Sequence, residues 1–261
     1  MSALVLVSLN LLNDLTFWDL RALLIVAELR RLNPDVIALQ EVALPLNNAR
    51  WLADQLGEYT VQLQPKTGAR REHEALALLS RLPVTPHDGL ELIHQDRVAQ
   101  RITVRVGDAP LVIANTHLLA WLTDATPRSE QVRRLLDWLP RDVPTIVCGD
   151  FNALPHYRAI AVMRERFVSA YSAAHGHEPA FTWPTPLHRG KGWRHRAREL
   201  GLWLGGIALH RTTRWRGTVD YIFVDPRLRV HTCDLAFTQP ARDHPRIYPS
   251  DHLGLVARLN W

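Results

Sequence analysis

Short β-rich runs, several of them bordered by polar residues, are the feature that most constrains this chain. Nine of them read as strands: Ala3–Leu9, Val36–Leu39, Thr60–Leu63, Ala75–Leu79, Arg101–Val106, Leu111–Asn115, Thr145–Cys148, Tyr221–Val224 and Leu255–Leu259. Two stretches hold a helical period. Leu20, Leu23, Leu24 and Ala27 fall at i, i+3, i+4 and i+7, and so do Val132, Leu135, Leu136 and Leu139. Asn33-Pro34 closes the first helix and Pro140 the second. A shorter helix is expected over His156–Glu165. Many strands, few helices and no regular βαβ alternation predict two packed sheets with helices outside, an α/β sandwich. A glycine-rich dinucleotide fingerprint and a Walker lysine motif are both missing from the chain.

The chain has 261 residues, 47% of them hydrophobic, and its 17 prolines are scattered rather than gathered into a linker. A single domain over residues 1–261 is expected. Cys148 and Cys233 sit in apolar runs and read as buried free thiols, not as a disulfide or a CxxC site. The first residues, MSALVLVSLNLL, lack a basic leader and a cleavage site, and the apolar run is too short to span a bilayer. They read as a core strand of a cytoplasmic protein without a transmembrane segment.

Chemistry should lie at the strand ends. There stand Asn10, Gln40-Glu41, Asn115-Thr116-His117, Asp150 with Asn152, Asp220, and Ser250-Asp251-His252. Each has a plain structural alternative. Asn10 suits a turn, Glu41 a solvated acid, and His117 a satisfied core histidine. Asp150 and Asn152 suit an Asx turn, and Asp251 a helix cap. Together they form a set of carboxylates, amides and imidazoles without a thiolate cluster. Such oxygen donors suit a hard cation, Mg²⁺ or Mn²⁺. Two histidines beside acids suit proton transfer near neutral pH. The combination fits phosphate-ester hydrolysis, and the chain has no nucleophile elbow for acyl chemistry.

The motifs SLNLL (8–12), PDVIALQEV (34–42), EALALLSRLPV (74–84), NTHL (115–118), GDFNALP (149–155), TVDYIFV (218–224) and SDHLGL (250–255) run in order along nearly the whole chain. In them the sequence resembles the endonuclease/exonuclease/phosphatase superfamily, of which deoxyribonuclease I is a member. The resemblance implies an α+β fold: a four-layer αββα sandwich, two packed mixed sheets flanked by helices, with the site at one edge. It implies that Glu41 is the principal metal ligand, with Asn10 and Asp251 beside it. His252 would be the general base, held by Asp220. Asp150 and Asn152 would face the scissile phosphate. His117 would contact the phosphate or the leaving oxygen, with Glu74 orienting its ring. Abasic-site endonucleases carry tyrosine where this chain has His117, so the likeness is closer to the deoxyribonuclease and sphingomyelinase branches.

Net charge is +5, and it is local. Residues 181–216 hold eight bases against the single acid Glu199, leaving 23 bases and 25 acids elsewhere. The same segment holds Trp183, Trp193, Trp203 and Trp215. It reads either as a polyanion-binding rim, with Arg194, Arg196, Arg198 and Trp183 on substrate, or as an insertion packed on the body. The expected substrate is a phosphate ester, nucleic acid favoured. A phosphatase or phospholipid phosphodiesterase on the same machinery is the alternative. A non-catalytic binding module is the other, although such modules lose catalytic residues and this set is intact.

Overall fold

Strands that are apolar on both sides must be covered on both faces, and that requirement sets the architecture. The structure, a computed structural model, describes residues 3–107, 109–121, 123–187 and 216–260, with isolated positions between 197 and 204. Arg194, Arg196 and Arg198, expected to contact substrate, lie outside the described residues.

One sheet holds β1 (Ala3–Asn10), β2 (Val36–Ala43), β3 (Thr60–Pro65), β4 (Glu74–Ser80), β12 (Arg229–Ala236) and β13 (Gly254–Asn260), in the order β12-β13-β1-β2-β4-β3. The other holds β5 (Val84–Pro86), β7 (Val98–Val106), β8 (Ala109–His117), β9 (Thr145–Asp150), β10 (Val168–Ser169) and β11 (Asp220–Val224), in the order β10-β11-β9-β8-β7-β5. The short β6 (Leu90–Glu91) pairs with β7. Each sheet has one parallel pair near its centre, β1 with β2 and β8 with β9, and antiparallel neighbours outside it. A parallel pair needs a long crossover. Helices α1 (Trp18–Leu32) and α3 (Thr126–Trp138) supply the two crossovers.

Side chains alternate across each strand and so fill three apolar layers. Leu4, Leu6, Val36 and Ala38 meet Ile113, Ile146, Cys148 and Ile222 between the sheets. Val7, Leu9, Ile37 and Leu39 pack outward under α1 and α2 (Asn48–Leu56). On the far side, Ala114, Val147, Tyr221 and Phe223 share a cluster with residues of α3 and of α4 (Arg158–Arg164). The last helix, α5 (Ala170–His175), begins at Ser169, whose side chain caps it. Just inside one edge, Gln40 Nε2 donates to Asn115 Oδ1 at 2.8 Å, and Asn115 Nδ2 donates to Leu39 O and Ala77 O. This polar pin joins the sheets directly beneath the ends of β2 and β8. No described helix is long and apolar enough to cross a membrane.

The face expected of the first helix is reversed. Leu20 is 38% exposed and Leu23 62%, while Trp18, Ala22, Ile25, Val26 and Leu29 are buried. The cause is Arg21, a polar residue on the buried face. Its guanidinium is fully buried and donates to the carbonyls of Leu11, Asp14 and Pro249. Helix α4 is shorter than the expected His156–Glu165. The strand β12 and the helices α2 and α5 carry no pattern that set them apart in the sequence.

Candidate active site

Both parallel pairs end at the same edge, and their last residues meet there. Asn10 ends β1, and Glu41 stands near the end of β2, where the register with β4 shifts and Glu41 takes φ 55°. His117 ends β8 and is paired in register with Asp150, which ends β9. Asp220 opens β11 opposite Asp150. The Ser250–His252 turn is clasped by the 182–185 loop: Thr185 donates its N–H to Asp251 O and its hydroxyl to Ser250 O, and Leu253 N donates to Thr182 O.

Gly149 makes the β8–β9 approach possible. Its φ is +143°, and a Cβ there would lie 1.9 Å from Thr116 O. Phe151, between the two polar residues that follow, is buried in the outer core against Tyr221 and Phe223.

The side chains form a connected cluster. Asn10 Nδ2 lies 3.2 Å from Glu41 Oε1 and 3.1 Å from Asp150 Oδ2 and donates to both. Its Oδ1 accepts from Leu12 N, so in this arrangement Asn10 ties the two acids together. His117 Nε2 is 3.4 Å from Asp150 Oδ2 and 3.9 Å from Glu41 Oε1. Glu74 Oε1 is 3.7 Å from His117 Nδ1, and Glu74 is itself buried in ion pairs with Lys66 and Arg70. His252 Nδ1 and Asp220 Oδ2 share a hydrogen bond of 2.9 Å, and His252 Nε2 faces Asp150 Oδ2 at 3.9 Å. Asp251 Oδ2 accepts from Trp183 Nε1 at 2.9 Å. Asn152 takes φ 48° and donates Nδ2 to Leu118 O. Of these, Glu41, His117, Asp150, Asn152, Trp183, Asp251 and His252 line a cavity of about 280 Å³.

Burial and charge polarise the cluster. Burial, and then the neighbouring Asp220, push the Asp150 carboxyl up to about 7. Burial alone would lower His252, but its partner Asp220, with Asp251 and Asp150, raises it to about 10. His117 is held well below its ordinary value by burial and by the charges of Arg97 and Lys66. Asp150 is thus a buried acid whose ionised form is only partly offset by His252 and the Asn152 N–H. The ligand atoms of Glu41, His117 and Asp150 lie within 4.8 Å of one another, as do those of Asp150, Asp220 and His252. Carboxylate oxygens in that arrangement fit a divalent cation, whose charge would offset the burial of Asp150.

The structure therefore brings Asn10, Glu41, Glu74, His117, Asp150, Asn152, Asp220, Asp251, His252 and Trp183 to one edge. Two basic residues there escaped the sequence reading. Lys66 is buried beside Glu74, and burial followed by the charge of Arg97 lowers it to about 8. Arg97 is 4% exposed, lines the cavity, and has no hydrogen-bond partner for Nε or Nη1 among the described residues. The missed signal was a polar residue at the start, not the end, of a strand antiparallel to one already implicated: Ala99 of β7 pairs with Thr116.

The sequence profile of the Endonuclease/Exonuclease/phosphatase family matches residues 7–252. The chain belongs to that family. Its name covers endonucleases, exonucleases and phosphatases, which hydrolyse phosphate esters. Human Nocturnin is 29% identical over 94% of this chain and 58% of its own length. Drosophila melanogaster angel is 29% identical over 53% of this chain and 44% of its own. The chain thus spans about half the length of these curated relatives. The human Nocturnin catalytic domain with bound sulfate anion superposes with a TM-score of 0.74 at 25% identity, covering 99% of this chain and 93% of that one. D. rerio TDP2 complexed with single strand DNA product gives a TM-score of 0.77 at 18% identity over 100% of both chains, a likeness of fold.

Proposed function

We propose that the chain is a divalent-cation-dependent phosphodiesterase that cleaves nucleic acid by direct attack of water, working as one domain in the cytoplasm. The observation that carries this reading is the Asp220–His252 pair facing Asp150 across the acid cluster. Glu41 and Asp150, with Asn10 between them and Asp251 at the border, would hold Mg²⁺ or Mn²⁺. When bound, that ion supplies Lewis-acid stabilisation of charge developing on the phosphate. With the charge of the acids around it offset, the His252 imidazole would be free to take a proton from water.

Asp220 fixes the His252 tautomer through Nδ1 and directs Nε2 at the reacting groups. His117, neutral and oriented by Glu74, donates a hydrogen bond to a non-bridging oxygen, and Asn152 adds a second donor. Arg97, on the lining of the cavity, adds a positive charge that offsets that of the phosphate. A nucleic-acid substrate is favoured by the aromatic wall of the cavity, by the basic segment 181–216, and by the single strand DNA product held by TDP2 on the same fold. The two free buried thiols accord with a reducing compartment.

A substrate panel of single-stranded DNA, RNA, phosphoinositide and sphingomyelin, run with Mg²⁺, Mn²⁺ or EDTA, tests the reading. Activity that survives EDTA together with Glu41→Ala and His252→Ala would overturn the mechanism. Hydrolysis of a lipid but of neither nucleic acid would overturn the substrate class.

A further inference from the structure

The cavity has a mixed lining. Besides acids and imidazoles it includes Ala120, Trp121, Leu154 and Tyr157, which present an apolar wall. A phosphate alone makes no use of such a wall.

Trp121 stands out within it. Its residue is 59% exposed, and its indole stacks on no other ring among the described residues. Yet the backbone of Trp121 and of its described neighbours is hydrogen-bonded to side chains of the body. Arg128, fully buried, donates Nε to Leu119 O, Nη1 to Thr123 O and Nη2 to Trp121 O. Gln131 accepts from Leu119 N, and Gln95 accepts from Ala120 N. A loop whose backbone is pinned at five points, carrying a bare indole at the mouth of the site, has the form of a preorganised platform. The cavity, at about 280 Å³, is small for a ligand pocket, which suits one nucleotide unit and not a duplex.

Resting on the nucleic-acid reading above, we infer that Trp121 is the stacking platform for the nucleobase attached to the scissile phosphate. The enzyme then selects single-stranded or terminal nucleotides, whose bases are free to stack, and tolerates any base because each has a π-face.

The test compares two diesters with the same leaving group. One is the p-nitrophenyl ester of thymidine 5′-monophosphate, and the other is methyl p-nitrophenyl phosphate, which has no base. The readout is the ratio of their kcat/KM values. Trp121→Ala should lower that ratio roughly tenfold or more, mainly through KM for the nucleotide ester, and Trp121→Phe should recover most of it. A ratio unchanged by Trp121→Ala, including an equal fall on both esters, overturns the platform and leaves the nucleic-acid reading standing. A wild-type enzyme that cleaves the methyl ester but no nucleotide ester or oligonucleotide overturns that reading, and the platform with it.

Discussion

Asp150 gives its two oxygens different duties. Oδ1 accepts from Asn152 N and closes an Asx turn, while Oδ2 faces Asn10, His117 and His252. The turn and the functional role expected of this residue thus coexist, one on each oxygen. The carboxyl is raised from 3.8 to about 7 in the folded chain, so the fold favours its protonated form. That contribution is complete below 3.8 and is lost as pH rises through 7. His252, raised from 6.5 to about 10, contributes fully below 6.5 and loses its contribution as pH climbs through 10. Metal-free protein should therefore melt at lower temperature at pH 8 than at pH 5, and added Mg²⁺ should restore stability mainly at the higher pH. Asp150→Asn should remove the part of the slope between 3.8 and 7; scanning calorimetry across pH with EDTA or Mg²⁺ checks both. Arg97→Ala should reduce kcat/KM roughly 10- to 100-fold, with Arg97→Lys recovering only part because an ammonium lacks the planar fork. The acids and amides were legible in the sequence because they punctuate apolar strands. Arg97 and Lys66 were not: in DRVAQR and QPKTGAR they resemble surface charges. They are buried because β7 runs antiparallel to β8, and because β3 pairs with β4, where Lys66 N bonds Glu74 O.

At the scale of elements, two places decide whether the edge forms. The first is the face of α1. Leu23→Glu should change stability by no more than about 0.5 kcal/mol, whereas Ile25→Ala should cost about 2–5 kcal/mol, both read from urea unfolding. Equal costs would mean that the buried face is misassigned. That face was not readable because the middle of α1, Ala22–Ala27, is apolar all round, and Arg21, just before it, is buried on backbone carbonyls. The second place is the contact between β8 and β9. Gly149→Ala inserts a methyl 1.9 Å from Thr116 O at a positive φ, so the strands carrying His117 and Asp150 must part. The expected cost is more than about 2 kcal/mol, with activity falling further than stability alone explains. By contrast the ends of α1 and α3, marked by Asn33-Pro34 and Pro140, were plain in the sequence, since Asn33 takes the left-handed conformation and proline cannot continue a helix.

In the molecule as a whole, neither sheet owns the site. Asn10, Glu41, Glu74 and His252 come from one sheet or the loop leading into it, and His117, Asp150 and Asp220 from the other. Two sheets with outer helices were foreseeable, because strands such as VIALQ and TIVC are apolar on both faces. The strand order was not, since a register shift between Val230 and Thr232 breaks the alternation of the edge strand β12. The Gln40–Asn115 pin holds the halves in register at the catalytic edge. Deeper in the same interlayer lie Cys148 on β9 and Cys233 on β12, one thiol in each sheet, both fully buried. Burial pushes the Cys148 thiol up to about 12 and Cys233 higher still, so neither offers thiolate at neutral pH while the sheets are closed. Each thiol is therefore a built-in clock for opening of its own sheet. If the sandwich opens only as a unit, a thiol reagent should label both cysteines at one common rate, which peptide mass spectrometry can follow. If β12 peels away first, Cys233 will run ahead, and the lead measures how loosely that edge is attached.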